Sequence, residues 1–269
     1  MIYRKGFFIS LFFALLLVSC STEFSFVQIS DPQFGFMREN KSISEESALY
    51  EKAVSEINGI NPAAVIITGD LVNDRTNATQ WNEFRRITSL IKSKNVFITP
   101  GNHDIGQEPT GKDLDEFRTM FGYDRFSFMH KKCAFIGFNS NLIKAGTPGL
   151  EEEQYKWLEN ELSKSSGARQ TFLFCHHPFF INDPDEPEEY FNIKPEVRKK
   201  YLALFARYGV DAVFAGHLHK NAVAQAGNIK IITTSSAGKQ LGKDLPGFRV
   251  VKVSGDKFTH EYVNTGAGK

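Results

Sequence analysis

Little in this chain of 269 residues is lopsided, and each absence removes a class of protein. With 32 Lys and Arg against 31 Asp and Glu the formal charge is +1, so no nucleic-acid-binding surface is evident. No internal repeat and no long low-complexity segment occurs. Cysteine is scarce, with 3 in all. Cys133 and Cys175 each stand in an apolar, strand-like run and read as small buried side chains. A disulfide between them would need an oxidising compartment and close Cα atoms, which their spacing does not argue. The remaining composition is that of a globular protein long enough for one large domain or two small ones.

Long apolar runs are also missing, with one exception near the start. Arg4 and Lys5 precede an apolar stretch from Phe7 to Val18, too short to cross a bilayer comfortably and suited to a signal-peptide core. It ends in Leu17-Val18-Ser19-Cys20, which resembles the bacterial lipobox, where the Cys is acylated and becomes the first mature residue. The expected organisation is a lipoprotein signal peptide over 1–19, a short tether over 20–23 and one domain over 24–269. That implies a membrane-anchored lipoprotein of the bacterial cell envelope, facing the periplasm or the exterior, with lipid on Cys20. One acyl chain binds a membrane only marginally, so a stable anchor needs several. Loss of Arg4 and Lys5 with the leader takes the charge to −1.

The rest of the chain alternates apolar strands with amphipathic helices. Phe24 to Ile29 alternates as a strand and runs into Asp31-Pro32-Gln33, where Pro32 should hold Asp31 extended. A helix from about Ser44 to Ile60 follows, with Leu49, Ala53, Ile57 and Ile60 as its stripe. Ala63 to Thr68 reads as a strand buried on both faces, ending in Gly69-Asp70. Gly69 would let the backbone come close to whatever Asp70 binds. The next helix runs from about Asn77 to Ile91, with Asn77 and Gln80 as a possible capping box. Asn95 to Pro100 is again strand-like, and Gly101-Asn102-His103-Asp104 should form a loop at its end. Asp104 is placed to hold and bias the neighbouring imidazole.

The second half repeats the theme less regularly. Phe126 to His130 and Cys133 to Phe138 read as a hairpin with His130 exposed, and Asn139-Ser140-Asn141 as a rim. Thr171 to Cys175 leads to His176-His177, and Asp211 to Ala215 leads to Gly216-His217-Leu218-His219. Two His two residues apart project to one side if that segment is extended, which is metal-ligand spacing. Between them, the acidic Asn182–Glu189 stretch reads as a surface loop, Tyr190-Phe191-Asn192 as a lid or wall, and Arg198, Lys199 and Lys200 as a solvated helix face. Three closing strands with no helix between them (229–234, 248–253 and 258–263) should pair antiparallel.

Strand-end loops in such a fold share one crevice, so Asp31, Gln33, Asp70, Asn102, His103, His176, His217 and His219 can converge. Their oxygen and imidazole donors suit Mn, Fe, Zn or Mg rather than Cu(I), and suffice for two divalent cations if one carboxylate bridges.

This pattern resembles the calcineurin-like metallophosphoesterase superfamily: Asp31-Pro-Gln33, Gly69-Asp70-Leu-Val-Asn73, Gly101-Asn102-His103-Asp104, His176 and Gly216-His217-Leu-His219. A closer likeness, to the calcineurin-like phosphoesterase domain-containing protein 1 group, rests on residues 28–35, 190–192 and 235–242. The resemblance implies an α/β, four-layer αββα sandwich of two mixed sheets flanked by helices. It implies that Asp31, Gln33 and His219 hold one metal, that Asn102, His176 and His217 hold the other, and that Asp70 bridges. His176 takes the ligand place because it stands two before Pro178, leaving His177 in a supporting or rim position and Asn73 in the family's support position. Gln33 stands where many members have His. Its amide oxygen is a harder, weaker donor, which favours Mg or Mn there.

The expected activity is hydrolysis of phosphomonoesters, with the nearer likeness pointing to phosphoserine and phosphothreonine as the phosphorylated substrate. A metal-bridging hydroxide would attack phosphorus while His103, kept charged by Asp104, protonates the leaving oxygen. The same donors serve a phosphodiesterase, and a non-catalytic metal-binding surface lipoprotein would need the metal ligands but not His103.

Overall fold

The computed structural model describes residues 23–266; the expected leader, Cys20 and most of the tether lie outside them. In chain order the elements are β1 (Phe24–Ile29), α1 (Ser44–Ile60), β2 (Ala64–Thr68), α2 (Ala78–Thr88), β3 (Val96–Thr99), α3 (Asn102–Ile105) and α4 (Gly111–Phe121). There follow β4 (Phe126–His130), β5 (Cys133–Gly137), α5 (Ser140–Ala145), α6 (Leu150–Lys164), β6 (Gln170–Phe174) and α7 (Pro195–Arg207). The chain ends with β7 (Ala212–Ala215), β8 (Ala222–Ala226), β9 (Ile229–Thr233), β10 (Gly247–Ser254) and β11 (Lys257–Asn264). Among the described residues no helix is long and apolar enough to cross a membrane.

Two mixed sheets result, ordered β11-β10-β1-β2-β3 and β4-β5-β6-β7-β9-β8. Alternation within β1 explains their stacking. Val27 and Ile29 face the layer of α1 and α2, with Tyr50, Ala53, Ile57, Trp81, Phe84 and Ile87. Phe26 faces the other sheet and meets Phe135, Phe172, Phe174 and Phe214 at ring-centroid distances of 5.1 to 5.8 Å. The far side of the second sheet packs on α6 and α7 through Leu158, Leu162, Tyr201 and Phe205. Helices, sheet, sheet, helices: the four-layer αββα sandwich is as expected.

Several local expectations change. The closing strands do not form one antiparallel set. β10 and β11 pair antiparallel, but β9 lies in the other sheet, parallel to β7, with β8 antiparallel on its free side. β8 alternates half-buried and exposed residues, turning only alanines inward and leaving Val223 exposed. The buried stripe of α1 is centred on Glu46, Tyr50, Ala53 and Ile57, with Leu49 and Ile60 only half-buried. Asn77 does cap α2, but Gln80 makes no capping box: its Oε1 accepts the backbone N–H groups of Asn73 and Asp74. His130 is half-buried with its ring edge-on to Phe24. Cys133 and Cys175 are both free and buried.

The largest correction is Arg198, which is fully buried rather than solvated. Its guanidinium donates to the carbonyls of Phe179, Ile193, Pro184 and Glu186 at 2.7–3.2 Å. Its basic neighbours hid it: sequence shows three cations in a row, but a helix turns each to a different side. Lys144 adds bonds to the carbonyls of Glu189 and Asn192, so the 179–193 segment is a braced wall. Arg198→Met would take the guanidinium from four carbonyls, those of Phe179 and Ile193 in buried contacts and those of Pro184 and Glu186 in part-buried ones, with Phe179 keeping the Ile193 N–H. A loss of about 3 kcal/mol is expected, given about 1–3 for each unsatisfied buried group and some relief from water at the loop. A urea-unfolding midpoint unchanged from wild type would contradict that reading.

Candidate metal centre

Every candidate ligand follows the carboxyl end of a parallel strand: Asp31 and Gln33 after β1, Asp70 after β2, Asn102 after β3, His176 after β6, His217 and His219 after β7. Bonds between the sheets bring these ends together. Gln28 Nε2 donates to the Ala215 carbonyl at 2.9 Å, Asn141 Nδ2 to the Pro100 carbonyl at 2.9 Å, and Ser236 Oγ to the Asp31 carbonyl at 2.6 Å. Asn139, Ser140 and Asn141 are therefore buried behind the site and form no rim. Ser140 Oγ accepts the backbone N–H groups of both His176 (3.1 Å) and His177 (2.8 Å), which fixes that turn.

Two donor groups converge, Asp31, Asp70 and His219, and Asp70, His176 and His217, with ligand atoms in each within 4.8 Å of one another. Asp70 belongs to both. Asn102 joins the second group, its Oδ1 standing 3.1 Å from His176 Nε2. His176 Nε2 also faces His217 Nδ1 at 3.1 Å and Asp70 Oδ2 at 3.3 Å. Because His176 Nδ1 meets the Thr68 carbonyl at 2.9 Å, that nitrogen carries a proton, and Nε2 is the atom turned to the other donors, with a lone pair to offer when the ring is neutral. His219 is set the same way, with Nδ1 on the Lys239 carbonyl and Nε2 at 3.4 Å from Asp31 Oδ1. Gln33 Oε1 is buried and has no hydrogen-bond partner, while its Nε2 reaches Asn73 Oδ1 at 3.5 Å. Lone pairs aimed at one another, plus an orphaned amide oxygen, suit divalent cations and little else.

The chain's own charges show the same crowding. Burial works against a charged His176, but the Asp70 carboxylate outweighs it and raises the imidazole to about 9. Burial works against a charged Asp70 too, and His176 holds it well below the usual carboxylate range. Burial pushes His217 down to about 3, with His176 adding to the effect. His177 is fully buried rather than at the rim, and burial with its two His neighbours keeps it neutral.

The backbone departs most from expectation. Asp31 (φ 51°), Gln33 (φ 37°), Asp70 (φ 49°), His217 (φ 70°) and His219 (φ 50°) all lie in the left-handed region. Pro32 therefore does not hold Asp31 extended, and the two His of Gly216-His217-Leu218-His219 do not share a face of a strand. Tertiary bonds hold these conformations: Asp31 N–H donates to the Gly69 carbonyl, Gln33 N–H to the Asp70 carbonyl, and His217 N–H to the Asp31 carboxylate. Gly69 does permit a close approach. A Cβ there would stand 2.6 Å from Gly101 N and 2.8 Å from His176 Nδ1. Gly101 is tighter still, since a Cβ would meet Asp70 N at 2.1 Å.

Residues 102–105 form one helical turn rather than a loop, and that separates His103 from Asp104. Asp104 accepts from the backbone N–H groups of Leu71, Val72 and Gly101 and makes no bond to the imidazole. Burial and the Asp70 charge push it up to about 8. His103 is half-buried, and its Nδ1 lies 2.9 Å from the Asn73 carbonyl. Asn73 thus supports both Gln33 and His103. Of the surrounding walls the sequence marked Tyr190 but not Phe36 or Lys239. Tyr190 is exposed and stands with its ring 5.2 Å from that of His217, its hydroxyl accepting from Gln107. Phe36 lies 5.5 Å from His219 and carries Lys239 Nζ over its ring.

Comparison with known proteins bears on this centre directly. Residues 24–221 match the calcineurin-like phosphoesterase family. The chain is 34% identical over 259 residues to the serine/threonine-protein phosphatase CPPED1 of Rattus norvegicus, covering 89% of this chain and 83% of that one. It is 28% identical over 229 residues to a probable glycerophosphodiester phosphodiesterase, GpdQ, of Arcobacter nitrofigilis, covering 81% and 80%. In fold it is similar to the crystal structure of a dimetal phosphatase from Danio rerio, with a TM-score of 0.60 at 15% identity over 88% of this chain and 98% of that one. By the extent of that family match and the identity to CPPED1, the chain belongs to the calcineurin-like phosphoesterase family and is a metal-dependent phosphatase.

Proposed function

We propose that the chain hydrolyses phosphomonoesters, phosphoserine and phosphothreonine among them, using two divalent cations and His103 as general acid. The observation that carries the reading is Asp70, the one carboxylate common to both donor groups. Asp31, Gln33 and His219 would hold one cation and Asn102, His176 and His217 the other. Bound there, Mn, Fe, Zn or Mg draws charge from the phosphoryl oxygens and acidifies a water. The protein does the remaining work. The carbonyls of Thr68 and Lys239 fix the tautomers of His176 and His219. The Asn73 carbonyl accepts a hydrogen bond from Nδ1–H of His103, which leaves Nε2 to carry a second proton toward the leaving oxygen.

The preference for monoesters rests on the higher identity to CPPED1; GpdQ supports a phosphodiesterase as the second reading. Purified protein with Mn, assayed on a phosphoserine peptide, p-nitrophenyl phosphate and bis-p-nitrophenyl phosphate, decides. Monoester turnover at least about tenfold above diester turnover is expected, a difference of roughly 1.4 kcal/mol in barrier. A reversed ratio selects the diesterase, and no turnover with metal bound defeats both. We also place the protein at the bacterial envelope through Cys20, a proposal that fails if Cys20→Ala remains membrane-bound and fully processed.

A further inference from the structure

Asn102 and His217 lie in the same donor cluster, and the segments that carry them are joined again on its solvent side. Gln107 follows the α3 turn of Asn102 and His103, and its Nε2 donates to the Tyr190 hydroxyl at 3.0 Å. Tyr190 in turn stands with its ring 5.2 Å from that of His217. Asn102, His176 and His217 are buried, whereas Gln107 is exposed and Tyr190 is 61% exposed, so the pair forms a clasp on the outside of that cluster. Both ends are held. Lys144 Nζ donates to the carbonyls of Glu189 and Asn192, and Asn192 Oδ1 accepts the Glu189 N–H at 2.8 Å, which ties the chain on either side of Tyr190. Beneath Gln107, Arg75 Nη1 donates to the Ile105 carbonyl at 2.8 Å and the Gly106 N–H to the Asn102 carbonyl at 2.9 Å. A tyrosine turns about few bonds, so on a braced segment its ring can shape a site at little cost in freedom.

The other sides of the cleft differ from this one. At His103 a groove of about 450 Å³ opens between Asn73, Thr76 and Gln107, among others, and gives the leaving group a place to go. On the His219 side stands Phe36, its ring 5.5 Å from that of His219 and 6.4 Å from that of His103. Lys239 Nζ lies 4.7 Å from the centre of the Phe36 ring and brings a positive charge to that side, which suits an unesterified phosphoryl oxygen better than an ester carbon. A phosphorus bearing one ester substituent needs the groove alone. A second substituent is left with the His217 side, where the clasp stands.

We propose that Tyr190 and Gln107 set the ester specificity of the centre: their clasp admits a phosphorus with one ester substituent and obstructs a phosphorus with two. Discrimination by obstruction needs no added contact to the accepted substrate. This rests on the phosphomonoesterase reading and deepens it. The test keeps the leaving group constant, since p-nitrophenyl phosphate, methyl p-nitrophenyl phosphate and bis-p-nitrophenyl phosphate all release nitrophenolate. Wild type, Tyr190→Ala, Tyr190→Phe and Gln107→Ala are assayed with Mn, and the kcat/KM ratio of each diester to the monoester is taken within each protein. Comparing that ratio across proteins cancels the intrinsic reactivity of the esters, and a merely structural loss, which slows all three together, does not move it. Tyr190→Ala should raise the bis-p-nitrophenyl ratio at least about tenfold over wild type, the scale on which a pocket discriminates by size, and the methyl ratio less. Tyr190→Phe and Gln107→Ala keep the ring but unfasten it, and should raise the bis-p-nitrophenyl ratio by a smaller factor. An unchanged ratio in Tyr190→Ala, or a proportional loss on all three esters, overturns this inference and leaves the monoesterase reading standing. Wild-type turnover of the diesters equal to or above that of the monoester overturns the reading and this inference with it.

Discussion

Replacing Asp70 with alanine is expected to lower kcat/KM by at least about 10³-fold, because a pair of cations is worth several kcal/mol to the transition state and each 1.36 kcal/mol is tenfold. Asp31, His176, His217 and His219 each belong to one donor group, but Asp70 belongs to both. It also has work besides the proposed ligation. Its Oδ1 accepts the His103 backbone N–H at 2.9 Å, which sets the first turn of α3 and the placement of His103. Alanine removes the shared charge and that acceptor together. It also leaves the His176 and His217 nitrogens 3.1 Å apart without the carboxylate that faces them. Asp70→Asn should fall between, since the amide oxygen keeps the bond to His103 while half the ligating capacity and the charge are lost. Metal content by mass spectrometry should fall from two equivalents toward none in Asp70→Ala, with far-ultraviolet circular dichroism unchanged. A variant that retains two equivalents and wild-type turnover would show that Asp70 is not the shared ligand.

How much of this was readable in advance follows from how local each determinant is. The strand ends were legible because a buried strand needs an apolar run and its termination needs Gly, Pro or a polar cluster; Ala64–Thr68 followed by Gly69 is such a case. The convergence of distant ligands followed from parallel strand order. Backbone conformation at the ligands was not legible, since no local preference puts Asp31, His217 or His219 at positive φ. Contacts more than 180 residues apart in sequence do so, such as His217 N–H on the Asp31 carboxylate. Arg198 was misread for a related reason: nothing in its own segment shows that four carbonyls of a preceding loop will need a donor. Asp104 was misread because adjacency in sequence was taken for adjacency in space. On a helical turn, consecutive side chains point in different directions, so Asp104 turns inward to the Leu71 and Gly101 amides while His103 turns to the cleft.

That separation gives His103 a sharp test. His103→Gln is expected to lower kcat by about 10²–10⁴-fold on alkyl phosphates such as phosphoserine, the usual worth of a positioned proton donor. On p-nitrophenyl phosphate the loss should be far smaller, because nitrophenolate leaves without a proton. The substitution is clean: the bond from residue 103 to Asp70 comes from the backbone, so the donor groups keep their arrangement. Asp104→Asn provides the contrast. Its carboxylate ties β2 to the turn before α3 and does not touch the imidazole, so its loss should loosen the site for all substrates alike. A leaving-group-dependent loss in His103→Gln, with an independent one in Asp104→Asn, assigns the proton to His103 and a purely architectural part to Asp104. Equal losses on both ester classes in His103→Gln would mean that the imidazole binds the phosphoryl group instead of protonating the leaving oxygen. A leaving-group dependence in Asp104→Asn would mean that the aspartate governs the imidazole's charge without touching it.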